Sequence, residues 1–386
     1  MLDPETPVPD ELTPIEQAQK RLGMSSIQRA ASKSFAQLRA LKGPVHVKWD
    51  PGTGPAAHEV PDTGEADRIR LGRFRGAMLG LAVGDALGAP LEGRERGSVP
   101  RLEDMTGGGM LHLLPGQWTD DTAQALCFAE SLVQCGRFDE RDQLERLVRW
   151  LTKGHLSSTG YCVGIGRTSL QALRQFMLTG EPSPGPSPSN GSLMRLAPIA
   201  LAFSYDPQLA AEMSARSSLI THSDPRAVDA CRYLGLLIAE AVNGAPKEEL
   251  LSATSPPLLE LQRVHPLHPE IAAIAAGSFK DKMESEIQAW GHVVQTLEAG
   301  LWAFHHADSF RAGCITAVNL CQDADTVGAV FGQLAGAHYG SAGDRGIPGY
   351  WQEQVALRST IEGFGDGLAE LASALKTGPT ARWRAE

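Results

Sequence analysis

Five glycines recur at every fourth residue from Gly72 to Gly88, and four more do so from Gly328 to Gly340. Residues four apart stack on one helix face, so each series describes a stripe without side chains. Glycine inside a helix costs about 0.5–1 kcal/mol relative to alanine, and repeating it so often needs a packing reason. Close approach by another backbone supplies that reason. Phe74, Ala77, Met78, Leu81 and Ala82 lie between the glycines of the first stripe. The pattern therefore predicts two buried helices, packed on each other or on shared neighbours.

The rest of the chain also reads as helical. Apolar periodicity predicts helices over 122–134, 144–153, 167–178, 196–203, 210–220, 226–243 and 286–304, and no set of alternating strands. Pro182, Pro184, Pro186 and Pro188 exclude helix and central strand, so 181–191 is expected to be an exposed loop. The expected organisation is one all-α domain over 67–375, a polar tail over 376–386 and an arm over 1–66. Within the arm, the sequence predicts an amphipathic helix over 25–42 and a Pro/Gly linker over 51–64. Between Lys20 and Lys48 the arm has seven basic residues (Lys20, Arg21, Arg29, Lys33, Arg39, Lys42, Lys48) and no acidic one.

A net charge of −10 over 386 residues argues against a general nucleic-acid binder. The six cysteines lack C-x-x-C spacing and read as reduced thiols. Without a signal-peptide pattern or an apolar run long enough for a bilayer, the chain is expected to be soluble and cytoplasmic, with no membrane partner.

Two short stretches carry the chemistry. Thr119-Asp120-Asp121-Thr122 and Asp323-Ala324-Asp325-Thr326 each lead into an apolar helical run. Asp120, Asp121, Asp323 and Asp325, with the hydroxyls of Thr119 and Thr326, form a hard-oxygen donor set sufficient for two divalent cations. The residues alone leave a second reading open, in which each cluster caps its own helix. If the clusters meet, their carboxylates must have raised pKa values until a cation neutralises them. Zinc is disfavoured because histidines and cysteines do not accompany these acids. Calcium suits the donors, but no EF-hand loop is present.

The segments Arg73–Glu92, Gly116–Thr122, Asn190–Arg195, Thr221-His222 and Asn319–Thr326 together resemble the ADP-ribosylglycohydrolase family, over roughly residues 70 to 355. The resemblance implies a compact all-α fold with two magnesium or manganese ions at its centre. It also implies removal of ADP-ribose from a modified protein side chain, arginine foremost, with serine-linked or small-molecule conjugates as alternatives. Thr119, Asp120, Asp121, Asp323, Asp325 and Thr326 match the metal segments, and Glu92, Asp120, Asp121 and Asp325 are the expected catalytic residues. Asn190, Gly191, Ser192, Met194, Arg195 and His222 match the substrate cleft. Asp85 is expected to support structure, and Trp118 either packs in the core or stacks on a base.

Two departures stand out. Gly164 occupies the position of an acid in many relatives, and Cys321-Gln322 replaces a more usual glycine pair. Some bacterial members of this family act as immunity proteins against ADP-ribosylating toxins. The resemblance therefore makes the arm over 1–66 a candidate contact for an ADP-ribosyltransferase toxin.

Overall fold

The structure is a computed structural model that describes residues 64–377. Most of the expected arm, including its helix and linker, and the residues from 378 lie outside the described residues. Among the described residues there are fifteen α-helices and no strand, as expected for an all-α chain.

The first helix, α1 (Glu65–Gly88), is buried from Gly76 through Gly88. Its partner is α13 (Ala324–Tyr339), buried from Ala324 through Ala337. The two glycine stripes face each other in antiparallel order: Gly76 meets Gly336, Gly80 meets Gly332, and Gly84 meets Gly328. A Cβ added at any of these positions would run into a backbone carbonyl across the seam. Of the two packings the sequence allowed, the helices take direct contact. The seam carries the end of α1 to the beginning of α13, where Gly88 abuts Ala324.

Other helices surround this pair: α2 (Asp120–Cys135), α3 (Glu140–Lys153), α4 (Arg167–Thr179), α5 (Ala197–Ala202), α6 (Pro207–Ser218) and α7 (Pro225–Asn243). They continue with α8 (Lys247–Leu250), α9 (Pro256–Val264), α10 (Pro269–Ala275), α11 (Val293–His306), α12 (Phe310–Val318), α14 (Gly349–Gln354) and α15 (Arg358–Thr377). α11 and α12 pack on α13, α6 packs on α7, and α15 packs on both α1 and α2. Two parallel hydrogen bonds from Arg75 to Asp366, 2.5 and 2.7 Å, fasten α15 to α1.

Local sequence explains several starts. Asp206-Pro207 and Asp224-Pro225 place a capping carboxylate before a proline that lacks an N–H to satisfy. One expected boundary needs correction: helix was predicted from residue 286, but α11 begins at Val293. Between these points the backbone bonds to neighbours, with Ala289 O accepting from Asp323 N and Gly291 O from Asn190 N. Those bonds replace a helical ladder. The proline-rich loop is also pinned, through bridges from Gly185 to His222 and from Ser189 to His292.

All six cysteines are free. No described helix is long and apolar enough to cross a membrane.

Candidate metal centre and cleft

Three helix ends converge on Asp85. Thr119 is the N-cap of α2, but its own side chain makes no capping bond. Asp85 reaches across from α1 instead. Its Oδ1 accepts from Thr119 N and Oγ1, both at 2.9 Å, and its Oδ2 accepts from Thr122 N at 3.1 Å and Oγ1 at 2.7 Å. Carboxylate charge at a helix N-terminus is favourable, and these four bonds use the lone-pair sites a carboxylate offers. Asp85 is thus a structural anchor, as expected, placed directly beneath the acid-rich turns.

Beside it, Asp121 on α2 and Asp325 on α13 complete a buried trio whose carboxylate oxygens lie within 4.8 Å of one another. The two distant sequence clusters therefore meet. Burial raises the pKa of Asp120, Asp121 and Asp325 well above the usual range, and neighbouring carboxylates push in the same direction. Burial likewise raises Asp85 to about 6, against the hydrogen bonds from Thr122 and Thr119. Glu92 is pushed up to about 7 by burial, then by the charges of Asp323 and Asp85. Asp121 Oδ1 is buried without a hydrogen-bond partner. An orphaned carboxylate oxygen inside a repelling acid cluster fits a divalent cation and fits little else. The cluster is a candidate metal-binding site.

A cleft of about 420 Å³ opens onto the cluster. Glu92, Asp120, Asp323, Asp325 and Thr326 line it, as do Asn190, Gly191, Met194 and His222. Thr119 and Asp121 lie buried alongside. Asn190 Nδ2 donates to Asp323 Oδ2 at 2.6 Å and Thr296 Oγ1 at 2.9 Å, so its amide hydrogens position an acid of the cluster.

Two of the expected cleft residues in the 190–195 segment stand away from the cleft. Ser192 is buried against Ser218 and Cys231. Arg195 is fully buried, donates to Gln124 Oε1 and Thr221 Oγ1, and stacks over Phe128. Trp118 is a core residue, fully buried with Nε1 donating to Ala356 O at 3.0 Å.

Sequence reading did not foresee Trp290, Thr168, Ser169 or Ser189 in the cleft wall. Trp290 is 50% exposed there. Both departures from the family pattern border this space. Gly164 has φ +82°, and a Cβ on it would run into Asp120 Oδ1, so Asp120 occupies the space an acid side chain would enter. Cys321 and Gln322 have φ of 61° and 64°, a region natural to glycine but strained for other residues. Gln322 Oε1 accepts from Ala289 N at 2.7 Å, and its backbone bonds to Gly93 and Arg94. It thereby ties the segments carrying Trp290 and Glu92 to Asp323.

A larger groove of about 700 Å³ lies at the other end of α1, lined by Arg75, Arg311, Arg358 and Tyr350. Among the described residues, the three-carboxylate group belongs to the smaller cleft. Chemistry favours that cleft over the roomier groove.

Comparison with known proteins identifies the family. The model of the ADP-ribosylglycohydrolase family matches residues 66–378. The ADP-ribosylarginine hydrolase Tri1 of Pseudomonas putida (strain GB-1) is 39% identical over 309 residues, covering 78% of this chain and 79% of that protein. The protein of the same name from Serratia proteamaculans (strain 568) is 37% identical, covering 78% and 80%. The ADP-ribosyl-[dinitrogen reductase] glycohydrolase of Rhodospirillum rubrum is 31% identical, covering 79% and 93%. A solved structure described as an ADP-ribosylglycohydrolase-related protein complex superposes with a TM-score of 0.69 at 42% identity, covering 79% of this chain and 99% of that one. With its helical seam, its buried acids and a family match spanning nearly all described residues, this chain belongs to the ADP-ribosylglycohydrolase family.

Proposed function

We propose that the chain hydrolyses ADP-ribosylated arginine in a protein substrate, cleaving the N-glycosidic bond between the ribose anomeric carbon and the guanidinium nitrogen and releasing ADP-ribose. The observation that carries this reading is the buried carboxylate cluster at the floor of the cleft. The names of the Tri1 relatives support arginine as the acceptor.

Two divalent cations, magnesium or manganese, would be held by Asp120, Asp121, Asp323 and Asp325, with the hydroxyls of Thr119 and Thr326 beside them. When bound, such cations supply positive charge that polarises ribose oxygens and acidifies water. The chain's own groups do the remainder. Glu92 lines the cleft, where burial and the charges of Asp323 and Asp85 favour its protonated form until cations bind, and it is placed to take a proton from attacking water. Asp120 and Asp325 line that cleft as well. Gly191, Met194 and His222 line the same cleft, where a sugar and pyrophosphate would lie. Trp290 presents a half-exposed apolar face suited to a base.

The test is release of ADP-ribose from arginine- and serine-modified proteins, with magnesium, manganese or chelator. Cation-dependent release from arginine supports the reading; release from serine alone moves the assignment to an O-glycosidic bond.

A role for residues 1–66 in contacting an ADP-ribosyltransferase toxin is a separate proposal, motivated by the seven basic residues and the lack of acidic ones from Lys20 to Lys48. Toxin binding by the full chain, lost from a chain starting at Asp67 that still hydrolyses, would support it. Equal binding by both would end it. A cytoplasmic setting agrees with the six free thiols.

A further inference from the structure

His222 stands between two hydroxyls. Thr221 Oγ1 lies 2.7 Å from Nδ1, and Ser189 Oγ lies 3.0 Å from Nε2. Thr221 Oγ1 also accepts from Arg195 Nη2 at 2.6 Å. A guanidinium only donates, so this bond cannot take the hydroxyl hydrogen. Thr221 is fully buried, and Arg195 and His222 are its hydroxyl's partners among the described residues. The hydroxyl hydrogen therefore has one acceptor, His222 Nδ1. Protonating Nδ1 instead would strand a buried O–H donor, at a cost of about 1–3 kcal/mol.

Arg195 is itself held in place. Its Nη1 donates to Gln124 Oε1, Gln124 Nε2 donates to Asp120 Oδ2 at 2.8 Å, and Phe128 lies under the guanidinium at 4.8 Å. The direction of each hydrogen bond consequently runs outward from one buried cation, toward the acid cluster on one side and His222 on the other.

We propose that Arg195 is a positioning residue that, through Thr221, holds His222 as the Nε2–H tautomer, so that His222 donates to Ser189 Oγ and leaves the Ser189 hydroxyl hydrogen for the cleft ligand, acting neither as acid nor as base. Burial and the nearby Arg195 charge lower the His222 pKa to about 3, consistent with a neutral ring. Gly191 makes room for this ring: a Cβ there would sit 3.0 Å from His222 Cε1 and 3.1 Å from Nε2. The Nε2–H points to Ser189 Oγ, itself 3.0 Å from Thr168 Oγ1, and all three side chains line the cleft. Such a wall suits a ligand group that only accepts hydrogen bonds. In the ADP-ribose reading, on which this last step rests, that group is the pyrophosphate.

The test is nitrogen NMR of the full chain labelled with 15N-histidine at pH 7, with the His222 signals identified by their absence in His222→Gln. The expected spectrum has Nε2 protonated and Nδ1 bare. Thr221→Val should shift His222 toward a tautomer mixture, and Thr221→Ser should restore the wild-type pattern. An Nδ1–H or doubly protonated ring in the wild type would overturn the proposal, as would an unchanged spectrum in folded Thr221→Val. The wild-type spectrum decides the tautomer even if the valine variant does not fold. Added ADP-ribose should move the Nε2–H signal, and no movement at saturating ADP-ribose would refute the donor role of Ser189. Because the tautomer is read without turnover, failure of the hydrolase reading would leave that result standing.

Discussion

Helix α2 carries two buried acidic sites about 15 Å apart along its axis, and the chain treats them in opposite ways. Glu130 is 3% exposed and ringed by partners: Arg146, His155 at 2.8 Å and Arg149 at 3.9 Å. Burial alone would raise its pKa, but the bonds and charges of His155 and Arg146 outweigh burial and hold it below the usual value. At the other end, Asp120 and Asp121 are buried among Asp85, Asp323 and Asp325, and their pKa values rise. The nearby buried cation, Arg195, reaches Asp120 only through Gln124. The difference teaches that Glu130 is neutralised from within, whereas the N-terminal acids await charge from outside. The first arrangement suits a structural role and the second suits a cation.

The comparison breaks most visibly by mutation. Asp121→Asn or Asp325→Asn should lower ADP-ribose release by about a thousandfold, equivalent to about 4 kcal/mol of transition-state stabilisation. Each should leave cation-free thermal stability unchanged or raised, because repulsion is relieved. Glu130→Gln should do the reverse, costing about 3 kcal/mol in denaturant unfolding while a cation still stabilises the protein. Loss of the cation response in Glu130→Gln alone would invert the assignment.

Gly84→Ala should also separate the sites. Its Cβ would run into Gly328 O, so α1 must move from α13 at a cost of about 3 kcal/mol. That displacement carries Asp85 away from Asp325 and should weaken cation binding; a variant with unchanged stability and binding would contradict the seam.

Adding Mg²⁺ or Mn²⁺ at a hundredfold excess over its dissociation constant should stabilise the wild type by about 2.7 kcal/mol, read as a rise in melting temperature. The smallest expected effect is the pH dependence. Asp85 and Glu92, with folded values of about 6 and about 7, lie above their ordinary carboxylate values. Between those limits the folded state binds more protons than the unfolded, so cation-free stability should fall as pH rises from about 4 to above 7. Cations should flatten this slope. Glu130, with its pKa lowered, contributes stability that is present above its ordinary value and lost as pH falls through its folded value. Melting curves with and without chelator across this range resolve the two signs; a cation-free stability that rises over pH 5–7 would contradict the account.

Much of this was legible from spacing. Glycines at every fourth residue announced the seam, whereas the acid-rich turns by themselves fitted helix capping as well as a cluster, and the resemblance to the family is what favoured the cluster. Less legible was the register that joins them. Only once Gly84 meets Gly328 and Gly88 meets Ala324 does Asp85 enter the trio with Asp121 and Asp325. The sequence reading gave Asp85 a supporting role without seeing that it caps α2. Trp290 was absorbed into an expected helix because local apolarity gives no warning that Ala289 and Gly291 spend their carbonyls on Asp323 and Asn190. Arg195 was assigned to the cleft because its segment resembles the family's cleft loop; its burial follows from packing on Phe128, which periodicity does not reveal.

The most direct test is a Mn²⁺ titration of metal-stripped protein, with free ion followed by electron paramagnetic resonance, for the wild type, Asp121→Asn and Glu130→Gln. The account predicts saturable binding by the wild type and Glu130→Gln, and its loss in Asp121→Asn. Equal binding by all three, or loss confined to Glu130→Gln, would contradict it.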